Sequence, residues 1–373
     1  MSWLTSFSRV TSSGRFIPVI DGLRWIAIAA VMLFHLEDSL VHKQFAVDAA
    51  VRNSLVHRTI NVGNCGVPLF FAISGFILAL PFVEQFHGAS GQRVFWGRYF
   101  LRRLTRLEPP YLINLAVAAL ILIVKGQTIG GILPHALASA TYLHNQIYGE
   151  WSTLNGVAWS LEVEVQFYLL MPVFAWLILR QGKAVRRSVI LGLILSGIAW
   201  KFANPQLANR YEYSLLRTFQ HFLAGILLAD WYVTDMKSAP EPRGIWDLWG
   251  TVAWLAIPLT QQFEFGRPLL PLLTLIAYVG SFRGPRLRSL LSTPIVTTIG
   301  GMCYTLYLYH FFIIAALERV TLPLTARRGY LTTLVVQSLL IFPPTLIVGA
   351  LLFRLFERPF MSWRPGKKQP RTE

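Results

Sequence analysis

Arg24 and His35 lie eleven residues apart in the apolar run IPVIDGLRWIAIAAVMLFHLEDSL. Eleven steps of about 100° make three turns plus roughly 20°, so a helix presents both side chains on nearly one face, roughly 16 Å apart along its axis. A guanidinium holds anions. An imidazole can take up and return a proton near neutral pH, or carry a group covalently. Both are costly inside hydrocarbon, where titratable side chains mark functional sites. A snorkelling anchor for Arg24 and a packing role for His35 are the plain alternatives, and the shared face argues for a common cavity instead.

Two further segments carry chemistry of the same kind. RYFLRRLTRLEPPY places Arg98, Arg102, Arg103 and Arg106 ahead of an apolar span. Arg102 and Arg106 share a helix face at i, i+4, and Arg103 and Arg106 do so at i, i+3. The planar fork of arginine suits phosphate, so this cluster reads as an anion clamp as well as a topology signal. WSLEVEVQFYLLMP places Glu162 and Glu164 at the start of an apolar helix, with Ser160 in position to cap it. Being two apart, the carboxylates point to different faces, one toward lipid head groups and one toward the bundle. In GVPLFFAISGFIL, Gly66, Ser74 and Gly75 allow close helix approach. In GMCYTLYLYHFF, Tyr304, Tyr307 and His310 read as packing and interface aromatics.

These residues need helices to position them. Ten apolar spans are expected, near 19–40, 62–84, 107–125, 157–179, 188–203, 213–232, 246–260, 268–282, 292–316 and 331–353. Segment 130–147 is long enough to be ambiguous but carries Pro134, His135 and His144. If it does not span, the inner segments hold 22 of the 34 Lys and Arg, the outer loops 8 and the spans 4. The positive-inside rule prefers that arrangement, with both termini cytoplasmic and 126–156 an outer loop. The expectation is an all-α, polytopic helix bundle over 1–360, followed by a basic cytoplasmic tail at 361–373.

Composition agrees. The 373-residue chain is 54% hydrophobic and 14% charged, with a mean hydropathy of +0.49. A soluble domain carries about 25% charged residues. The net charge of +16 does not indicate nucleic acid, because the basic residues sit in short loops between apolar spans. Cys65 and Cys303 stand in no metal-ligand spacing, so no metal site is expected. A disulfide between them is open. No cleaved signal peptide is expected, since the first span contains Arg24 and ends in HLEDSL.

Six segments, in order, resemble the acyltransferase-3 family of integral membrane acyltransferases. DGLRWIAIAAVMLFH is similar to its Arg-x10-His motif, LFFAISGFIL to its FFxxSG segment and RRLTRLEPPY to its arginine-rich cytoplasmic turn. WSLEVEVQFYL, YTLYLYHF and FERPF resemble its WSLxxExxFY, SYxxYLxH and ERP segments. The resemblance runs from about residue 18 to about 360. It implies transfer of an acyl group, usually acetyl from acetyl-CoA, to a hydroxyl of an extracytoplasmic glycan or other exported molecule. It puts the essential histidine at His35, its arginine at Arg24, the donor-binding arginines at Arg103 and Arg106, and the family glutamate at Glu164. Cys303 stands where Ser is common, and Glu162 where a small residue is common. Some members carry an appended esterase-like domain, for which this chain is too short.

The expected mechanism places donor phosphates on Arg102, Arg103 and Arg106, with Arg24 near the donor and neutral His35 as base toward the acceptor hydroxyl. Glu164, or Asp38 at i+3, would orient the imidazole. A transient acyl-His35 is the covalent variant. The expected setting is the inner (cytoplasmic) membrane, crossed several times, with lipids, acyl-CoA and a glycan or small exported acceptor as partners. The rival from another class is a glycan or lipid-linked transporter or flippase, with His35 and Glu164 as proton-relay groups.

Overall fold

The computed structural model describes residues 16–45, 48–88, 92–236 and 243–362. The first inner segment and the basic tail expected at 361–373 lie almost entirely outside the described residues, as do both termini. Among the described residues the chain is helical, with no strand.

Helix α1, Pro18–Gln44, is one unbroken rod. Pro18 opens it, where a missing N–H costs nothing. No proline follows to interrupt it, so at 27 residues it is about 40 Å long. The expected shared face of Arg24 and His35 is therefore realised on a single helix. The next helices are α2 (Gly66–His87), α3 (Trp96–Val124), the short α4 (Ile129–Ala140) and α5 (Trp159–Phe174, continued to Leu179). They are followed by α6 (Lys183–Ala203), α7 (Leu215–Trp231, continued to Met236), α8 (Gly244–Thr260) and α9 (Leu270–Arg283). The last are α10 (Pro294–Gly301), α11 (Cys303–Thr321) and α12 (Tyr330–Leu352, continued to Glu357).

Among the described residues, six helical segments are long and apolar enough to cross a membrane: Pro18–Gln44, Leu55–His87, Trp96–Val124, Gly156–Leu179, Cys303–Thr325 and Tyr330–Met361. Leu120, Leu169, Leu191, Leu255, Leu339 and Ile347 point outward from five different helices. Outward apolar surface of that extent belongs in lipid. The chain is a multi-pass membrane protein. The remaining expected spans fall on α6 to α9, which are shorter or more charged. Helix α4, at about 18 Å, is too short to cross the hydrocarbon core.

Two expected boundaries differ. The span expected at 107–125 starts at Trp96, so the arginine cluster lies on the helix itself rather than in a loop. Pro109 and Pro110 sit inside it, leaving the carbonyls of Thr105 and Arg106 without their usual helical donors. The span expected at 292–316 is broken at Met302. A Gly300–Gly301 pair weakens the helix there, and Gly300 packs so tightly on α1 that a Cβ would stand 1.7 Å from the Asp21 carbonyl oxygen.

Close packing sets the centre of the bundle. Gly75 of α2 and Gly225 of α7 face each other's helix; Cβ atoms there would lie 2.1 Å from the Phe222 carbonyl oxygen and 1.8 Å from that of Ala72. Gly66 rests on the Ala27 carbonyl of α1 in the same way. Buried Arg186 of α6 donates to Asp230 of α7 at 2.6 Å, and Arg187 donates to the other oxygen of Asp230 at 2.5 Å and also to Asp235. RQGKAVRR is thus an ion-paired helix junction as well as a run of loop charge.

Candidate functional site

Helices α1, α2, α3, α5 and α11 enclose a cavity of ≈ 90 Å³, room for about six waters. Its polar wall combines Arg24, Arg103, Arg106, Glu164, Ser74 and Tyr307. Three guanidinium groups thus face one carboxylate in an enclosure otherwise lined by Phe70, Phe71, Ile77 and Leu78.

Each cation is held differently. Arg24 is buried and paired with Asp21, one turn earlier on α1. The Arg103 guanidinium lies 5.8 Å from the centre of the Tyr168 ring, an attractive cation–π separation. Arg106 is the exposed account in energetic terms: its Nε is buried and has no hydrogen-bond partner. A buried donor without an acceptor is costly, and an anionic ligand would relieve it. Of the three arginines expected to meet donor phosphate, Arg103 and Arg106 line this wall, while Arg102 is exposed and does not. Arg98 is also exposed, stacked over Phe95.

Glu164 faces the arginines. Ser74 donates a hydrogen bond to it, and Tyr168, one turn further along α5, lies beside it. The ring neighbours of His35 are instead Phe34, His310 and Phe311, at 4.9, 5.1 and 5.7 Å between centroids. Glu164, expected to orient the imidazole, accepts a hydrogen bond from Ser74 in the arginine chamber. Asp38, the other expected partner, attracts His35 electrostatically, but its side chain is substantially exposed and its Oδ1 lies 3.3 Å from Nδ1 of His42. Glu162 is buried, accepting from the Asn145 backbone N–H at 3.0 Å, and so does not face lipid head groups. Ser160 does not cap α5; its hydroxyl reaches Tyr307, and Asn155 supplies the nearby cap to Val157 N–H.

Tyr307 joins the chamber to the histidines. It lines the cavity, and its ring centroid is 5.9 Å from that of His310. Its hydroxyl donates to the Val157 carbonyl at 2.9 Å and meets Ser160 Oγ at 2.8 Å. Helix α11, which carries Tyr307 and His310, is pinned by Asn114 and Asn155, both donating to the Leu308 carbonyl at 3.1 Å. Sequence reasoning read Ser74, Tyr307 and His310 only as packing. Their order along α2 and α11 was visible, but their meeting partners sit on other helices.

A second polar cluster had no motif to announce it. Buried Glu37, two residues beyond His35 and turned to another face of α1, accepts from His57 Nδ1 at 2.6 Å and from the Tyr330 hydroxyl at 2.8 Å. Away from the chamber, Nδ1 of His135 on α4 and Nε2 of His144, at the start of the short helix His144–Tyr148, stand 2.8 Å apart. Burial lowers the His144 pKa, so its imidazole favours the neutral form. Cys65 and Cys303 are buried and not joined by a disulfide, and Cys303 lines the chamber.

Comparison with known proteins settles the lineage. Residues 17–354 match the acyltransferase-3 family model, described as an acyltransferase domain. The chain belongs to the acyltransferase-3 family. Among the relatives of this family member is an assumed O-acetyltransferase of Staphylococcus aureus (strain COL), 24% identical over 394 residues that cover 94% of this chain and 59% of that protein. The peptidoglycan O-acetyltransferase OatA of Listeria monocytogenes is 26% identical over 378 residues, 93% of this chain and 56% of OatA. The acyltransferase MdmB of Streptomyces mycarofaciens is 24% identical over 384 residues, 95% of this chain and 94% of MdmB. The chain therefore spans less than two thirds of the first two relatives and nearly all of the third. No solved structure matches it.

Proposed function

We propose that this chain is a membrane O-acyltransferase that moves an acyl group, acetyl in the simplest case, from cytoplasmic acyl-CoA to a hydroxyl of an extracytoplasmic glycan or exported sugar-containing molecule. The observation that carries this reading is Arg106: a buried, unpartnered guanidinium nitrogen beside Arg24 and Arg103 in an enclosed chamber. Such a cluster fits a polyanionic donor better than it fits water. Membership of the acyltransferase-3 family and the names of OatA and MdmB support the reaction class. The count of loop Lys and Arg supports ten spans, cytoplasmic termini and the cytoplasmic membrane as the setting.

In this reading Arg103 and Arg106 hold donor phosphate, and Arg24, braced by Asp21, keeps the donor end of α1 positive. Glu164 offsets part of the arginine charge and fixes Ser74 and Tyr168 around it. His35 removes the proton from the acceptor hydroxyl as its oxygen bonds to the thioester carbonyl carbon. The carbon–sulfur bond then breaks, and His35 returns the proton to the departing sulfur, leaving ester and free thiol. A two-step route through acyl-His35 uses the same residues, with the acyl group resting on the ring before the hydroxyl attacks.

The test is turnover by purified protein in nanodiscs with radiolabelled acetyl-CoA and an acceptor glycan. Acceptor labelling with thiol release, abolished in folded His35→Ala, supports the enzyme. Glycan movement across the bilayer without thiol release refutes it in favour of a transporter. Label retained on the wild-type protein after rapid quench, and absent from His35→Ala, identifies the covalent route.

A further inference from the structure

We propose that His310 is the positioning partner of His35: it selects the ring nitrogen of His35 that carries a proton and shares the positive charge that His35 gains during transfer. This rests on the acyltransferase reading of His35 and adds a residue to it.

The geometry of His310 leaves little freedom. Its side chain is fully buried on α11. Its Nδ1 lies 3.0 Å from the Leu306 carbonyl oxygen and 2.9 Å from that of Tyr307. Carbonyl oxygens only accept, so Nδ1 bears the hydrogen and Nε2 bears the lone pair. That Nε2 is buried and has no hydrogen-bond partner. A buried acceptor left unmatched is costly, and it needs a donor within reach.

The nearest ring is that of His35, 5.1 Å away between centroids with planes at 43°. The same protein shows what this separation permits. His135 and His144 have centroids 5.0 Å apart and planes at 34°, and their facing nitrogens are 2.8 Å apart. His35 and His310 thus stand at the spacing of a directly bonded imidazole pair, and reorientation of the His35 ring is enough to close the bond. Phe34 and Phe311 border that ring edge-on and limit where it can turn. Of the carboxylates that could have done this work, Glu164 is hydrogen-bonded to Ser74, and Asp38, which attracts His35 electrostatically, is partly exposed with its Oδ1 3.3 Å from Nδ1 of His42.

The proton balance is simple. One His35 nitrogen donates its N–H to His310 Nε2, which leaves the other nitrogen as the base. When that nitrogen takes the acceptor hydroxyl's proton, the two rings together carry one positive charge. The charge disappears when His35 returns the proton to the thiol sulfur. His310 ends as it began. It does for His35 what the buried aspartate of a hydrolytic triad does for its histidine, using an imidazole lone pair in place of a carboxylate.

The test uses the full chain in nanodiscs, with unfolding midpoints measured for every variant. His310→Phe removes the acceptor and should lower kcat by about 10²- to 10³-fold at unchanged KM for acetyl-CoA. His310→Gln, which can present an oxygen near the Nε2 position, should recover at least tenfold of that loss. In the double variant His35→Ala, His310→Phe, the second change should add nothing to the first, because residues acting as a unit are non-additive. Wild-type kcat in His310→Phe, a rise confined to KM, failure of His310→Gln to outperform His310→Phe, or losses that multiply in the double variant would each overturn the pairing. Full activity in His35→Ala would instead defeat the underlying reading of His35.

Discussion

Arg106 offers a test in which stability and function move in opposite directions. Arg106→Met keeps an unbranched side chain of similar length and removes the guanidinium. In the unliganded protein this abolishes a buried Nε with no acceptor. A buried unsatisfied polar group costs about 1–3 kcal/mol, and more when charged. Its neighbours Arg24 and Arg103 add like-charge repulsion, opposed by Glu357 and Glu164. The substitution should therefore leave stability unchanged or raise it by up to about 3 kcal/mol. At roughly 2 °C or less per kcal/mol for a chain of this size, the unfolding midpoint should rise by no more than about 6 °C. Donor binding should weaken. A charge-assisted hydrogen bond contributes about 1.5–3 kcal/mol, and 1.4 kcal/mol is tenfold in affinity, so Kd for acetyl-CoA should rise about 10- to 150-fold. Differential scanning and isothermal titration on the same nanodisc preparation read both quantities. A lower midpoint with unchanged Kd would refute the reasoning, because it would make Arg106 a structural cation rather than a waiting ligand.

Three further outcomes follow from other parts of the bundle. Gly225→Ala would put a Cβ 1.8 Å from the Ala72 carbonyl oxygen, so α2 and α7 must separate; overpacking of this kind costs about 1–3 kcal/mol or more, read as a lower unfolding midpoint. Gly192→Ala, with nothing within 4 Å of its Cβ, is the matched control and should not lower it. At the end of α7, burial works to raise the Asp235 carboxyl, but hydrogen bonds from Lys183, Arg187 and Thr234 outweigh it and pull the group from 3.8 down to about 2. A depressed carboxylate stabilises fully above its unfolded value and loses that contribution as pH falls through the folded one. Asp235→Asn should therefore flatten the dependence of the unfolding midpoint on pH between about 4 and 2, by a small amount because both Asp235 and Lys183 are partly exposed. A protease-cleavable tag after Glu373 should be cut from the cytoplasmic side in inside-out vesicles only; cutting from the outer face would overturn the ten-span topology.

What could be read from the sequence was what helical periodicity and hydropathy control. Arg24 and His35 share one rod because nothing between them breaks it, and Gly66 and Gly75 do sit where helices approach most closely. Arg103 and Arg106 were placed together by their spacing, but the same spacing arguments could not tell that Arg102 would turn outward. That depends on which side of α3 faces α1 and α5. Spacing left open which of Glu162 and Glu164 faces the bundle, and the resemblance pointed to Glu164; its contact with Ser74 was not legible, because contacts between α2 and α5 leave no trace in local spacing. Ser160 looked like a cap by type and position; its hydroxyl found Tyr307 on a helix some 147 residues later. His310 was hidden for a similar reason. Only the carbonyls of its own helix and the ring of His35 together distinguish it from a packing aromatic. The break at Met302 was missed because a glycine pair inside an apolar run weakens a helix without ending it; the tight seat against α1 decides the matter.

Tyr307 has a consequence for the cell as well as for the reaction. A bundle that buries polar side chains and a histidine pair in a low-dielectric layer must not join them into a continuous proton wire. Left open, such a wire would dissipate the membrane potential whether or not acyl groups were moving. The Tyr307 ring stands at the junction, and both hydrogen-bonding positions of its hydroxyl are taken, one by the Val157 carbonyl and one by Ser160. A phenol with its proton committed in this way cannot readily relay another. The side chain that lines the chamber and borders His310 is therefore a poor link for protons between the two.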